Sequence, residues 1–182
     1  MPKLKKFKLQ YDCDNLLFEF NLLNYKPDKQ DGMEWIPYEM KLIVENEEYV
    51  IDEFSMHRKN VEQWIDVMQS LIDERKNCTY YDTETGKSVS TVPNTQRSQV
   101  RYQEFDCYLG EELEFEIKME NLEDFWDDII VDFTIWMKSA CIKNRKQGYS
   151  IGYNFAVKYD DIREFCHSLN MQYEKYIEDA LG

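Results

Sequence analysis

Glycine, proline and histidine are scarce in this sequence of 182 residues, which contains six, four and two of them. The six glycines are spread along the chain and form no glycine-rich loop that could hold a phosphate group. The sequence also lacks a G-x-S-x-G nucleophile elbow, a Walker loop, a dinucleotide fingerprint and an HExxH zinc helix. No apolar run approaches the roughly 18 to 20 residues that a membrane-spanning helix needs. We therefore predict no catalytic site, no cofactor and no membrane segment.

The cysteines favour a reducing compartment. Their number is odd, they are widely spaced and no two form a CxxC pair, so neither a disulfide framework nor a zinc knuckle is indicated. The five cysteines are Cys13, Cys78, Cys107, Cys141 and Cys166. The basic N-terminus, Met1 to Lys8, is not followed by the apolar stretch of a signal peptide. We predict instead that this segment forms a first strand and that the protein is cytoplasmic.

The charge of the chain is strongly one-sided. Thirty-six acidic residues against twenty-two basic ones give a formal net charge of −14. Such a chain repels nucleic-acid phosphates and anionic lipids, and it attracts basic protein partners. The simpler alternative is that the excess charge only keeps the protein soluble. A hydrophobic content of 43% and an aromatic content of 15% indicate a folded chain, which we predict to be one domain over residues 1–182.

Two segments have the apolar period of an amphipathic helix. The first covers about 60 to 75 and includes Val61, Trp64 and Ile65, with a capping box predicted at Asn60 and Gln63. The second covers about 161 to 178, with Asp160 as a candidate cap. Both helices should bury one face and expose a charged face.

Most of the remaining chain alternates with the period of β-strands and is rich in β-branched and aromatic residues. Glu45 to Glu47 reads as a tight hairpin turn, and Asn77 to Gln99 as a polar loop or hairpin. The sequence therefore predicts an α+β fold, mainly an antiparallel sheet with two helices. The predicted strands are Leu16 to Leu23, Ile36 to Val44, Glu48 to Met56, Val100 to Tyr108, Leu113 to Met119, Ile129 to Cys141 and Ser150 to Lys158.

A spacing of 101 residues relates the two helical segments. Val61, Trp64 and Ile65 match Ile162, Phe165 and Cys166 at this offset, and strands precede both helices. The chain could therefore contain two half-repeats, 1–76 and 99–182, joined by the polar segment 77–98. Amphipathic patterning alone also produces such matches, so both explanations stay open.

The acidic residues are concentrated in one segment. Between Glu104 and Asp132 the chain has twelve acids and one base, Lys118. Within it, Phe125 and Trp126 lie among four acids. Aromatic anchors surrounded by charge are typical of a protein-binding hot spot, although Phe125 and Trp126 could instead point into the core. We predict that Glu114 and Glu116 lie on a solvent-facing side. The predicted partner-binding residues are Glu111, Glu112, Glu114, Glu116, Glu123, Asp124, Phe125, Trp126, Asp127 and Asp128.

Acid–base and metal chemistry have few candidates. His57 lies where a strand gives way to a helix, and His167 lies on the polar side of the second helix. Cys166 cannot pair with the adjacent His167, because neighbouring helix residues point about 100° apart. Asp127-Asp128 and Asp160-Asp161 lack the regular ligand spacing of a calcium loop, so no metal site is predicted.

Two strand-then-helix passages resemble the immunity proteins of bacterial polymorphic and contact-dependent toxins, of the WapI type. These passages are Tyr49 to Phe54 running into Val61 to Ile65, and Tyr153 to Val157 running into Ile162 to Phe165. The resemblance implies a non-enzymatic protein that binds and neutralises a basic cognate toxin domain, often a nuclease, in the cytoplasm, with no direct contact to nucleic acid. Two alternatives remain: an adaptor for another cellular protein, and an enzyme whose histidines or carboxylates converge in one cleft.

Overall fold

The computed structural model describes residues 2–5, 15–24, 34–77, 79–82, 87–90, 101–109, 114–125, 128–143 and 150–181. Within these ranges the chain forms strands and two helices, with a short 3₁₀ turn at Ser139–Cys141. The elements are β1 (Lys3–Lys5), β2 (Leu16–Leu22), β3 (Trp35–Val44), β4 (Glu47–His57), α1 (Arg58–Asn77), β5 (Thr79–Asp82), β6 (Lys87–Ser90), β7 (Arg101–Leu109), β8 (Phe115–Phe125), β9 (Asp128–Met137), β10 (Ile151–Lys158) and α2 (Tyr159–Leu181).

The described strands form two antiparallel sheets. Sheet A has the order β1-β2-β3-β4, and sheet B has the order β10-β9-β8-β7-β5-β6. Neighbouring strands are consecutive in the chain throughout sheet A and throughout sheet B except where β7 pairs with β5. A helix follows each sheet in the chain, α1 after sheet A and α2 after sheet B. The protein therefore has the α+β fold that the sequence predicts. The polar segment after α1 contributes a hairpin, in which β5 pairs with β6.

Period-two patterning gives each sheet one buried face, because successive strand residues point to opposite sides. In β3, for example, Ile36, Tyr38, Met40 and Leu42 are fully buried while the residues between them are partly exposed. The buried faces of both sheets and of both helices join in one hydrophobic core. Ring contacts cross between the sheets, as in Phe18 to Phe133, with centroids 5.4 Å apart.

The two helices lie antiparallel and close that core. Tyr159 donates a hydrogen bond to the carbonyl oxygen of Ile72 at 3.0 Å, and the Cys166 thiol lies 3.9 Å from the carbonyl oxygen of Ile65. As residue numbers rise along α1, their contacts fall along α2, which fixes the antiparallel direction. No helix in the described part of the chain is long and apolar enough to cross a membrane.

Residues 101 apart occupy equivalent depths in the two strand–helix junctions. Val61 and Ile162 are both 0% exposed, and Trp64 and Phe165 are 3% and 1% exposed. The rings of Trp64 and Phe165 also contact each other, with centroids 5.7 Å apart. The two helices therefore meet through matching positions. That the halves arose by duplication stays a prediction.

Several predicted boundaries need correction. The helix α1 begins at Arg58, and His57 Nδ1 accepts the backbone N–H of Lys59 at 3.2 Å. The capping box predicted at Asn60 is therefore wrong, because Asn60 lies inside the first turn. Asp160 also lies inside its helix, where its carboxylate pairs with Arg163 at 3.2 Å.

The hairpin turn predicted at Glu45 is confirmed. Val44 pairs with Glu47, so the turn contains two residues. Glu45 has a φ of 55°, a backbone conformation that costs a residue with a Cβ about 1–2 kcal/mol. Its carboxylate accepts the backbone N–H of Asn15 at 3.0 Å, and its own N–H bonds to the carbonyl oxygen of Asn15 at 2.8 Å. These bonds offset the strain.

Charges alternate across the outer face of sheet A. Lys3, Glu19 and Lys41 occupy paired positions on β1, β2 and β3. The side chain of Glu19 is only 9% exposed and forms an ion pair with Lys3. Lys41 also pairs with the more exposed Glu48 at 2.9 Å, and the hydrogen bond to Glu48 raises the pKa of Lys41. Opposite charges at paired positions stabilise a sheet.

The substitution Glu19→Gln should lower the free energy of unfolding by about 1 kcal/mol, because it leaves two lysines beside a neutral amide. Chemical denaturation at neutral pH measures this effect. The matched substitution Glu48→Gln removes an exposed partner of the same Lys41 and should cost only a few tenths of a kcal/mol. Equal losses in the two variants would contradict the structural role assigned to Glu19.

Candidate functional site

The predicted partner-binding residues fall in and beside the hairpin formed by β8 and β9. Glu116, Glu123, Asp124 and Phe125 lie in β8, and Asp128 begins β9. Glu114 directly precedes β8. Four predicted residues lie outside the described residues, namely Glu111, Glu112, Trp126 and Asp127.

The pairing register separates some of these residues. Glu123 pairs with Ile130, Asp124 with Ile129, and Phe125 with Asp128. Since neighbouring strand positions alternate between faces, positions 123 and 125 lie on the outer face of sheet B, opposite the buried face, and position 124 lies on the other face. The structure therefore does not bring all the predicted acids to one side.

Three acids that the sequence did not single out share one row of sheet B. Asp106 on β7, Glu120 on β8 and Asp132 on β9 occupy directly paired positions, and we call them the acid row. Their positions alternate with the buried Met119 and Phe133, which places the acid row on the outer face. Like charges at paired positions destabilise a sheet, so this arrangement is the reverse of the alternating row on sheet A.

A tryptophan lies on the same outer face. Trp136 pairs with Glu116 on one side and with Gly152 on the other. A Cβ added to Gly152 would lie 2.6 Å from Cδ1 of Trp136. The glycine therefore leaves room for the indole to lie across β10. Trp136 is partly exposed, which gives this face a large aromatic surface near carboxylates.

The row between Trp136 and the acid row is polar. Thr134 pairs in register with Lys118 and with Asn154, and the Asn154 side-chain amide donates to the Thr134 hydroxyl at 2.6 Å. This hydrogen bond ties β9 to β10 on the outer face. The aromatic and acidic parts of the face therefore sit on a fixed sheet surface.

Glu114 has a structural contact inside the protein. The Tyr38 hydroxyl donates a hydrogen bond to Glu114 Oε2 at 2.6 Å, and Tyr38 is 0% exposed. The bond joins the start of β8 in sheet B to β3 in sheet A. The prediction that Glu114 faces solvent with Glu116 is therefore wrong in part, because Glu114 is half-buried and its carboxylate serves the fold.

The two histidines have different surroundings. His57 caps α1 and lies edge-on to the exposed Trp35, with ring centroids 5.5 Å apart. His167 is exposed and lines a groove between α1 and α2, which Asp66 also lines. Among the described side chains, no three His, Cys, Asp or Glu residues converge as metal ligands.

Among the cysteines whose side chains the structure describes, Cys141 and Cys166 are free thiols. Burial raises the pKa of Cys166 to about 11, because desolvation disfavours the thiolate. Burial also raises the pKa of Cys141. Both thiols are therefore protonated at neutral pH and poorly nucleophilic. Cys166 is a core residue, as its place on the apolar stripe of the helix predicts.

Comparison of the chain with protein-family models, with curated proteins and with solved structures found no match. The resemblance to immunity proteins therefore stays a prediction.

Sequence reasoning missed the acid row and Trp136. The acidity of the segment is visible in the sequence, but the pairing of Asp106, Glu120 and Asp132 depends on register shifts between Gln103 and Asp106 and between Glu120 and Leu122. The signal that could have identified Trp136 is the glycine in the neighbouring strand. A glycine inside a strand often marks a site where another group approaches the backbone closely.

Tyrosine ionisation should weaken the fold in alkali. Burial, and next the hydrogen bond to Glu114, raise the pKa of Tyr38 above its ordinary value of 10.0. Above pH 10 the unfolded chain loses this proton first, so the unfolded state binds fewer protons and the free energy of unfolding falls as pH rises.

The substitution Tyr38→Phe should flatten that decline by up to about 1.4 kcal/mol per pH unit, while the lost hydrogen bond lowers stability at neutral pH. Urea denaturation between pH 8 and pH 11 measures both effects. An unchanged slope in the variant would contradict the buried, protonated state of Tyr38.

Proposed function

We propose that this chain is an acidic, non-enzymatic binding protein whose outer face on sheet B binds a basic protein partner. The observation that carries the proposal is the acid row, in which Asp106, Glu120 and Asp132 are paired across three neighbouring strands. Like charges in register on neighbouring strands are expected to repel, and a partner that supplies Lys or Arg side chains would complement them on binding.

The composition of the face supports the same function. Glu116 and Asp132 are partly exposed there, and Trp136 contributes a partly exposed indole beside Glu116. Aromatic anchors among charges dominate many protein interfaces. The chain's net charge of −14 would also accelerate association with a cationic partner.

In its specific form, the proposal is an immunity protein that occludes the active site of a basic toxin domain, such as a nuclease, in the cytoplasm. The acidic face would imitate the charge of the toxin's substrate and pair with the cations around its active site. Glu111, Glu112, Trp126 and Asp127 would extend this contact. An adaptor for a different cellular protein would use the same face, and the identity of the partner distinguishes the two.

The first experiment is co-expression of the tagged chain with the genes that flank it in its source genome, followed by mass spectrometry of what co-purifies. The proposal predicts a basic domain that stays bound at low salt and dissociates more readily at high salt. A toxin-like domain whose activity stops on binding supports the immunity function. A basic partner of another kind supports the adaptor, and no retained partner contradicts both.

Measurements of binding to that partner then test the outer face of sheet B directly. The triple substitution Asp106→Asn, Glu120→Gln and Asp132→Asn should weaken binding by at least about tenfold, as measured by calorimetry. Glu114 is left unchanged because its carboxylate holds Tyr38. A matched variant, Glu174→Gln, Glu178→Gln and Asp179→Asn, removes the same charge from exposed positions on α2 and should change the affinity by less than about threefold. Equal losses in both variants would reject sheet B as the interface.

A further inference from the structure

A glycine sets the place of Trp136 on the outer face of sheet B. A Cβ added to Gly152, its partner on β10, would lie 2.6 Å from Cδ1 and 2.9 Å from Nε1 of the indole. The five-membered ring therefore lies against the bare backbone of Gly152, where a larger residue would displace it. Trp136 is partly exposed and Gly152 is exposed, so solvent reaches the part of the ring that is turned away from β10.

The indole of Trp136 has no polar or aromatic partner inside the protein. Within the part of the chain that the structure describes, it makes no hydrogen bond and no ring contact. The indole of Trp64, in contrast, packs against the rings of Phe20 and Phe165 in the core. Core packing therefore does not account for Trp136. An accessible indole is the most favourable side chain for contact with a cation.

A carboxylate lies directly beside this indole. Glu116 pairs in register with Trp136, and both positions are on the outer face, so their Cβ atoms are about 4.5–5.5 Å apart. Glu116 already takes part in an interaction within the protein. A carboxylate nevertheless has about four acceptor positions, so it can also accept a charged donor from a partner.

The neighbouring row of the face is fixed by the protein's own contacts. The Asn154 amide donates to the Thr134 hydroxyl at 2.6 Å. Lys118 pairs in register with Thr134, one row from the indole, and it also takes part in an interaction within the protein. A group that binds beside this row is therefore favoured if it carries positive charge for Glu116 and is flat enough to lie over Trp136.

We propose that Trp136 and Glu116 bind the guanidinium group of an arginine on the basic partner, an inference that rests on the function proposed above. The planar guanidinium stacks on the indole while its N–H groups pair with the carboxylate. The ammonium of lysine is a point charge without a planar surface to stack, so this pair selects arginine over lysine. The acid row attracts either cation by its charge.

The probes are two fluorescently labelled peptides of equal charge. One has a single central arginine among lysines and glycines, and the other has lysine at that position. Fluorescence anisotropy measures their binding to the full chain at about 0.1 M salt, where charges more than about 10 Å apart are largely screened. The arginine peptide should bind at least about threefold more tightly than the lysine peptide.

The substitution Trp136→Leu removes the aromatic ring and keeps an apolar side chain. It should abolish the preference for arginine and leave the affinity for the lysine peptide within about twofold of the wild type. The matched control is Trp35→Leu, which removes an indole that is 49% exposed on sheet A and should keep the preference. Circular dichroism melts verify that each variant is folded.

Two further variants test the geometry of the pair. Gly152→Ala retains the tryptophan but displaces its ring through the close contact with Cδ1, so it should reduce the preference for arginine. Glu116→Gln should reduce it as well, whereas Glu174→Gln, which removes the same charge from an exposed position on α2, should keep it.

Equal binding of the two peptides to the wild-type chain would overturn this inference, and so would a preference for arginine that survives Trp136→Leu. Either result leaves the binding function of sheet B standing if the triple substitution of the acid row weakens both peptides equally. No saturable binding by either peptide would also overturn the inference, while the co-purification experiment tests the proposed function separately.

Discussion

The indole of Trp64, on α1, contacts both sheets and the other helix, and the common core of the molecule depends on these contacts. Its ring centroid lies 4.7 Å from Phe20 in sheet A, 6.0 Å from Phe115 in sheet B and 5.7 Å from Phe165 on α2. Within the described part of the chain, Nε1 of this indole is buried without a hydrogen-bond partner, at a cost of about 1–3 kcal/mol. Truncating a buried tryptophan costs about 3–5 kcal/mol. The free energy gained by packing the indole therefore exceeds the cost of its unsatisfied N–H. The outer faces of both sheets point away from the core that this packing stabilises.

The apolar periodicity of the sequence predicts the strands and helices, but it does not predict the contacts between distant segments. The strand predicted at Leu16 to Leu23 is observed at Leu16–Leu22, and the helix predicted at 60 to 75 is observed at Arg58–Asn77. Each of these elements buries one face, and the spacing of apolar residues in the local sequence predicts which face it is. The hydrogen bond from Tyr38 to Glu114 joins residues 76 apart, so no local pattern could reveal it. The acid row depends on two register shifts, one in β7 and one in β8, which composition does not determine.

The two sheets carry opposite charge patterns on their outer faces. On sheet A, Glu19 lies between two lysines, so paired positions attract. On sheet B, Asp106, Glu120 and Asp132 occupy paired positions with no intervening cation in the row. Like charges in register are expected to repel, and the positions of the acid row lie on the face away from the shared aromatic core, which is why the acid row is central to the proposed function.

The most direct test of that claim is the salt dependence of folding stability. The free energy of unfolding would be measured for the wild type and for the variant with Asp106→Asn, Glu120→Gln and Asp132→Asn, from about 0.01 M to about 1 M salt, where the Debye length falls from about 30 to 3 Å. If the acid row is repulsive in the free protein, the variant is the more stable at low salt and the difference shrinks as salt rises. A variant that is less stable than the wild type at low salt would show that these acids stabilise the fold, and it would contradict their assignment to binding.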